Sequence, residues 1–182
     1  VYVSMGSLCA SGGYYIATAG ERLYANPSTI TGSIGVIMEQ VVIEDLLKKI
    51  GMEANTIKSG EFKDVGSPFR RMKKEERTYF QKIMDSIHEQ FIKDVAEGRK
   101  MTMDVARGIS DGRIFTGIEA KNQGLVDSIG TFYDTVEGLK NELNIEGKPV
   151  LVRGRKPFSL LKWLLSSVSD ELKMQRYCVP FQ

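Results

Sequence analysis

Apolar residues fall along the chain in two rhythms, short continuous runs and longer stretches at helical spacing. Val1 to Met5 is a short apolar run that reads as a buried strand. Gly6 to Gly13 is made of small residues and glycines, the signature of a tight turn, and Tyr14 to Ala19 reads as a short helix ended by Gly20. Arg22 to Ala25 predicts a second strand, and Gly32 to Val36 a glycine-flanked strand start. Val42 to Ile50 has helical spacing and stops at Gly51, a residue suited to the left-handed turn that closes helices. Glu53 to Ile57 predicts a strand and Lys58 to Pro68 a loop. The longest helix is predicted over Glu75 to Glu97, with Phe80, Ile83, Met84, Ile87, Phe91 and Val95 on one stripe.

A small helix follows near Met103 to Ile109. Thr116-Gly117-Ile118-Glu119 has the form of a capping box, which predicts a helix closed by Gly124. Leu125 to Asp127 predicts a strand, Phe132 to Leu143 a helix and Val150 to Val152 a last strand. Residues 157–182 are read as an amphipathic helix, Phe158 to Lys173, and an extended apolar tail at Tyr177 to Gln182. Such a tail resembles an apolar peptide substrate, and an occupant of the protein's own groove is one role for it. Strands alternating with helices predict an α/β fold with a largely parallel sheet. No linker or repeat divides residues 1–182, so they read as a single domain. A core strand with no lead-in at Val1 implies that an upstream part of the fold, with any membrane anchor, lies outside this sequence.

Composition narrows the function by exclusion. A net charge of +2 over 182 residues is too balanced for a nucleic-acid groove or a polybasic membrane surface. No apolar run approaches the ~18 residues needed to span a bilayer. Cys9 and Cys178 lack metal-ligand spacing, and two free thiols fit them better than a bridge. His88 is the single histidine and sits inside the long charged helix, where a packing role fits it best. A Ser-His-Asp triad or a zinc site therefore has little to draw on, and neither phosphate loop nor dinucleotide fingerprint is present.

Two features remain that carry chemistry. Ser11 stands where a strand turns into a helix, followed by Gly12 and Gly13. That placement exposes a hydroxyl beside the first backbone N–H groups of the helix, which stabilise an oxyanion; it equally suits a plain helix cap. Lys58 and Lys63 lie in a glycine-containing loop that can reach back over a site. A lysine removed from water gives up its charge more readily and can then accept a proton. Spacing alone does not choose between the two lysines.

Three ordered segments resemble the signal peptide peptidase A type of serine protease: Ala10-Ser11-Gly12-Gly13-Tyr14-Tyr15-Ile16-Ala17, Thr31-Gly32-Ser33-Ile34-Gly35-Val36 and Lys58 to Arg70. A weaker match covers Gly112 to Gly117 with Ala120 and Gly124 to Asp127. The resemblance implies Ser11 as nucleophile and Lys63, within Phe62-Lys63-Asp64, as general base. It implies Ser33 as the hydroxyl that holds the lysine amine and Gly12 as one N–H of the oxyanion hole. The other half of that hole comes, in the family, from an upstream segment this sequence lacks.

The implied fold is the stacked ββα spiral of Clp protease and the crotonases, assembled into rings or domes. No metal or cofactor is implied. The implied substrates are peptides, above all signal peptides. The implied setting is the outer face of a bacterial inner membrane, reached through an N-terminal anchor. Two alternatives use the same fold without this serine, a crotonase-like acyl thioester enzyme and a non-catalytic assembly fragment. A third, a Cys9–His88 hydrolase, requires a cysteine whose position suits packing better.

Overall fold

The computed structural model describes residues 1–152. Val1–Ile145 forms one compact unit; the described part of the second unit, residues 146–152, is irregular and largely exposed. The predicted strand at Val150 to Val152 is therefore not formed. The tail helix and extended tail expected over residues 157–182 lie outside the described residues, as does Cys178.

Within the first unit the chain runs β1 (Tyr2–Met5), β2 (Leu8–Ala10), α1 (Gly12–Ala17), β3 (Arg22–Ala25), β4 (Ile30–Gly32), α2 (Glu44–Lys49), a 3-10 turn (Glu61–Asp64), α3 (Lys74–Gly98), α4 (Met103–Gly108), β5 (Ile114–Thr116), α5 (Gly117–Asn122), β6 (Ser128–Ile129) and α6 (Phe132–Glu142). This is an α/β fold, with two three-stranded sheets where one was expected. The first sheet, β1-β3-β6, is parallel throughout; the second, β2-β4-β5, pairs β2 with β4 in parallel and β4 with β5 antiparallel.

The second sheet explains two departures from the sequence pattern. The small-residue stretch read as a turn contains β2, which is too short to show an alternation of its own. Its order comes from β4, in the register Leu8↔Ile30, Cys9↔Thr31, Ala10↔Gly32. Buried threonines pin that pairing: Thr31 Oγ1 donates to the Cys9 carbonyl at 2.6 Å and Thr29 Oγ1 to the Gly6 carbonyl at 2.7 Å. The strand expected at Glu53 to Ile57 does not form. Those residues are all exposed and find no partner strand among the described residues, and an isolated extended segment has nothing to satisfy its backbone.

The core joins both sheets to α1 and α3. Met5, Leu23 and Ile34 from strands and adjoining loops meet Tyr14 from α1 and Phe91, Ile92 and Val95 from α3. Tyr14 is fully buried and donates its hydroxyl to the Leu125 carbonyl at 2.8 Å, which fixes the depth and rotation of α1. The stripe on α3 is buried only in its second half. Phe80, Ile83 and Met84 are half-buried and Ile87 is exposed.

The Thr116–Glu119 capping box forms as expected, with Glu119 accepting the Thr116 N–H at 2.8 Å. It starts α5 at Gly117, where a Cβ would lie 2.0 Å from the Asn26 carbonyl oxygen. Backbone, unlike a flexible side-chain end, cannot step aside. Gly117→Ala is accordingly expected to destabilise the fold by about 3 kcal/mol, the upper range for forced overpacking. A thermal melt checks it, and a midpoint equal to that of the parent protein would contradict the close approach.

Candidate active site

Ser11 follows the last residue of β2 and precedes the first of α1. Its backbone takes φ 52° and ψ −121°, a conformation an L-residue adopts only when its surroundings impose it. Two bonds impose it here. The Ser11 N–H donates to the Gly32 carbonyl at 2.8 Å, and the Ser11 carbonyl accepts the Tyr15 N–H at 2.8 Å. The Ser11 side chain makes no capping bond to α1, which removes the reading of this residue as a plain helix cap. A serine at positive φ on a sharp strand-to-helix turn presents its hydroxyl outward, as does the serine of the nucleophile elbow in α/β-hydrolases.

Ser11 and Gly12 open on a cavity of ≈ 530 Å³. Its apolar wall is built from Tyr15, Val36 and Phe91 with the exposed Ile87, and its polar side from Ser86 and Gln90 on α3. Tyr15 and Phe91 meet edge to face at 4.9 Å. Asp94 accepts hydrogen bonds from the Tyr15 hydroxyl and, at 2.8 Å, from Gln90 Nε2, so both wall residues are braced from behind. Among the described residues, the N–H of Gly12 has no acceptor. A Cβ at Gly12 would meet nothing within 4 Å, so the packing of the chain itself does not require glycine there.

Ser33 occupies the matching position on the neighbouring strand. It follows Gly32, the partner of Ala10, so the two serines leave parallel strands at the same level. Ser33 also has φ 52°, and its N–H donates to the Arg113 carbonyl at 2.8 Å. Adjacent strands stand about 4.8 Å apart, which brings Ser33 beside Ser11 at the carboxyl ends of β2 and β4, where open α/β sheets present their sites.

Lys63 is elsewhere. It sits exposed on the 3-10 turn, does not line the serine cavity, and its amine has no hydrogen-bond or ion-pair partner among the described residues. Its two neighbours are both fixed to α3. Phe62 packs on Tyr79 at 5.1 Å, and Asp64 is bound through Arg70 to Glu76. Tyr79 and Glu76 precede Ser86, at the cavity, by about 10 and 15 Å of helix rise, more than a lysine side chain spans. Lys58 is occupied, donating to the Glu61 carbonyl at 2.7 Å and to the Asp64 carboxylate.

Arg70 and the Lys73 N–H hold the Glu76 carboxyl down at about 2, and Arg70 and Lys58 hold Asp64 lower still. A carboxyl with a depressed folded-state value contributes stability above its unfolded value, near 4.5, and loses it as pH falls through the folded one. Glu76→Gln is therefore expected to lower the thermal midpoint at pH 7. The gap to the parent should close between pH 4.5 and 2. A gap that stays constant over that window would remove the ion pair as its source.

The remaining candidates behave as packing residues. His88 Nε2 lies 2.8 Å from the Ser110 carbonyl, and Cys9 is half-buried against the core, where burial pushes its thiol up. Neither lines the serine cavity. The sequence reading missed Ser86, Gln90 and Tyr15. The available signal was two polar residues, a helical turn apart, flanking the apolar stripe of α3.

The profile of peptidase family S49 matches residues 1–146. The chain is 39% identical over 154 residues to the protein MJ0651 of Methanocaldococcus jannaschii, covering 85% of this chain and 50% of that one. It is 33% identical over 175 residues to the chloroplastic serine protease SPPA of Arabidopsis thaliana, covering 94% and 26%. It is 38% identical over 136 residues to protease 4 of Salmonella typhi, covering 75% and 22%. The chain spans about half the length of the first of the curated relatives it matches.

Proposed function

The chain belongs to peptidase family S49, and we propose that it carries the catalytic residues of a serine peptidase, with Ser11 as nucleophile and Lys63 as general base. The observation that carries this reading is the backbone of Ser11. Positive φ at a non-glycine residue, at the junction of β2 and α1 and facing a cavity, is strain kept where chemistry uses it. Lys58 is a poor base because its amine is already engaged by the Asp64 carboxylate and the Glu61 carbonyl, whereas the Lys63 amine has no partner among the described residues.

In the reaction the neutral Lys63 amine takes the proton of Ser11 Oγ as Oγ bonds to the peptide carbonyl carbon. The Gly12 N–H receives the oxyanion. Lys63 then returns the proton to the departing amine as the C–N bond breaks. In the second half the Lys63 amine takes a proton from water as the water oxygen bonds to the acyl carbon, and gives it back to Ser11 Oγ as the ester bond breaks. Ser33, beside Ser11, holds the lysine amine in line. The uncharged, largely apolar cavity suits apolar segments in extended form, which fits the signal peptides left after secretion as substrates.

Lys63 is anchored along α3 away from its own chain's serine, so the lysine that serves Ser11 is assigned here to a second copy in a homo-oligomer. No helix among the described residues is long and apolar enough to cross a membrane. The direct test is covalent. A fluorophosphonate should add once to the full-length protein, and mass spectrometry should find it on Ser11. Addition elsewhere, or none, would overturn the assignment.

A further inference from the structure

The geometry points to Arg70 as a positioning residue of the active site, one that sets the place of Lys63 by clamping the next residue, Asp64, onto the first turn of α3. This rests on the reading of Lys63 as the base. The guanidinium binds two carboxylates at once. Toward Asp64 it donates from Nε to Oδ2 at 2.8 Å and from Nη2 to Oδ1 at 2.9 Å. Toward Glu76 it donates from Nη1 to Oε2 at 2.8 Å and from Nη2 to Oε1 at 2.6 Å. Glu76 is only 3% exposed and also accepts the Lys73 N–H at 2.8 Å. The clamp is thus tied into the start of α3.

Arginine is required for this double fork, since a lysine cannot bind two carboxylates with paired, coplanar bonds. On the other side of Lys63, Phe62 packs against Tyr79 one helical turn further along. With residues 62 and 64 both held by α3, Lys63 is the free residue between two anchored ones. Its direction is then set by backbone it does not itself fix. The same helix carries Ser86 and Gln90 into the wall of the serine cavity. One rigid element therefore holds both the serine cavity and the lysine turn, and in an assembly of copies it fixes each relative to the interface between them.

The test is a double-mutant cycle in the full-length protein, read by the rate at which a fluorophosphonate labels Ser11 and by peptide kcat and KM. Arg70→Met is expected to lower labelling and kcat about 100-fold, the scale of a catalytic group misplaced by an ångström, with KM little changed. Added to Lys63→Ala it should have no further effect, because it acts only through that lysine. Hydrogen exchange of the amides in residues 61–65 should quicken at least about tenfold while those of Ile92 and Val95 stay as they were. Glu76→Gln, which keeps the shape of the clamp, provides a milder version of each change if Arg70→Met does not fold. An equal loss in both backgrounds, or unchanged exchange at 61–65, would overturn the clamp. Labelling of Lys63→Ala at the parental rate would instead overturn the reading of Lys63 as base, and the exchange measurement would still decide whether Arg70 holds the turn.

Discussion

Ser11→Ala in the full-length protein is expected to abolish peptide hydrolysis, a loss of about 10⁴-fold or more, while leaving the fold and its thermal midpoint nearly unchanged. Both halves follow from the same geometry. The hydroxyl is the one reactive oxygen of the strand-to-helix turn, and its side chain makes no capping bond, so removing it leaves no buried partner unsatisfied. The strain at φ 52° resides in the backbone and the Cβ, which alanine shares. Steady-state hydrolysis, fluorophosphonate labelling and a thermal melt on one preparation check the claim. A variant that melts much lower, with activity lost in proportion, would make Ser11 a structural residue. A variant that still cleaves would place the nucleophile elsewhere.

Lys63→Ala is expected to be as inactive as Ser11→Ala, whereas Lys58→Ala should keep most of the activity. The second outcome is informative because Lys58, tied to Asp64 and the Glu61 carbonyl, is the lysine with the visible contacts. Losing it loosens the turn; losing Lys63 removes the proton acceptor. The larger effect comes from mixing. When Ser11→Ala and Lys63→Ala chains are unfolded together and reassembled, activity should return to about a quarter of the parental value, since one random site in four joins an intact serine to an intact lysine across a head-to-tail interface. Mixed oligomers that form and remain inactive would show that the lysine serves the serine of its own chain.

Much of the site was legible in order rather than in space. The small residues around Ser11 announced a tight turn, and the resemblance carried by three ordered segments named Ser11, Lys63, Ser33 and Gly12. Sequence could not tell Lys58 from Lys63 by spacing, because both lie in one loop. The distinction is spatial: the Asp64 carboxylate takes the Lys58 amine and the Arg70 guanidinium, and the Lys63 amine has no partner among the described residues. Nor could the α3 pattern separate core from cavity. Phe80 to Val95 keeps one apolar period throughout, yet only the half that meets α1 and the sheets is buried.

Local chemistry alone determined the elements whose ends are written in their own residues. The helix beginning at the Thr116–Glu119 box needs only neighbours three positions apart, the helix ending at Gly51 needs a residue that tolerates φ 73°, and β3 is a run long enough to show itself. Tertiary structure decided β2 and β4, three residues each, whose hydrogen bonds exist only when each supplies the other's partner. It decided the failure of the Glu53 to Ile57 strand for the same reason, the lack of a partner. It also decided the backbone conformation of Ser11, since positive φ in a serine is unfavourable by itself and persists because the Gly32 carbonyl, twenty-one residues away, accepts its N–H.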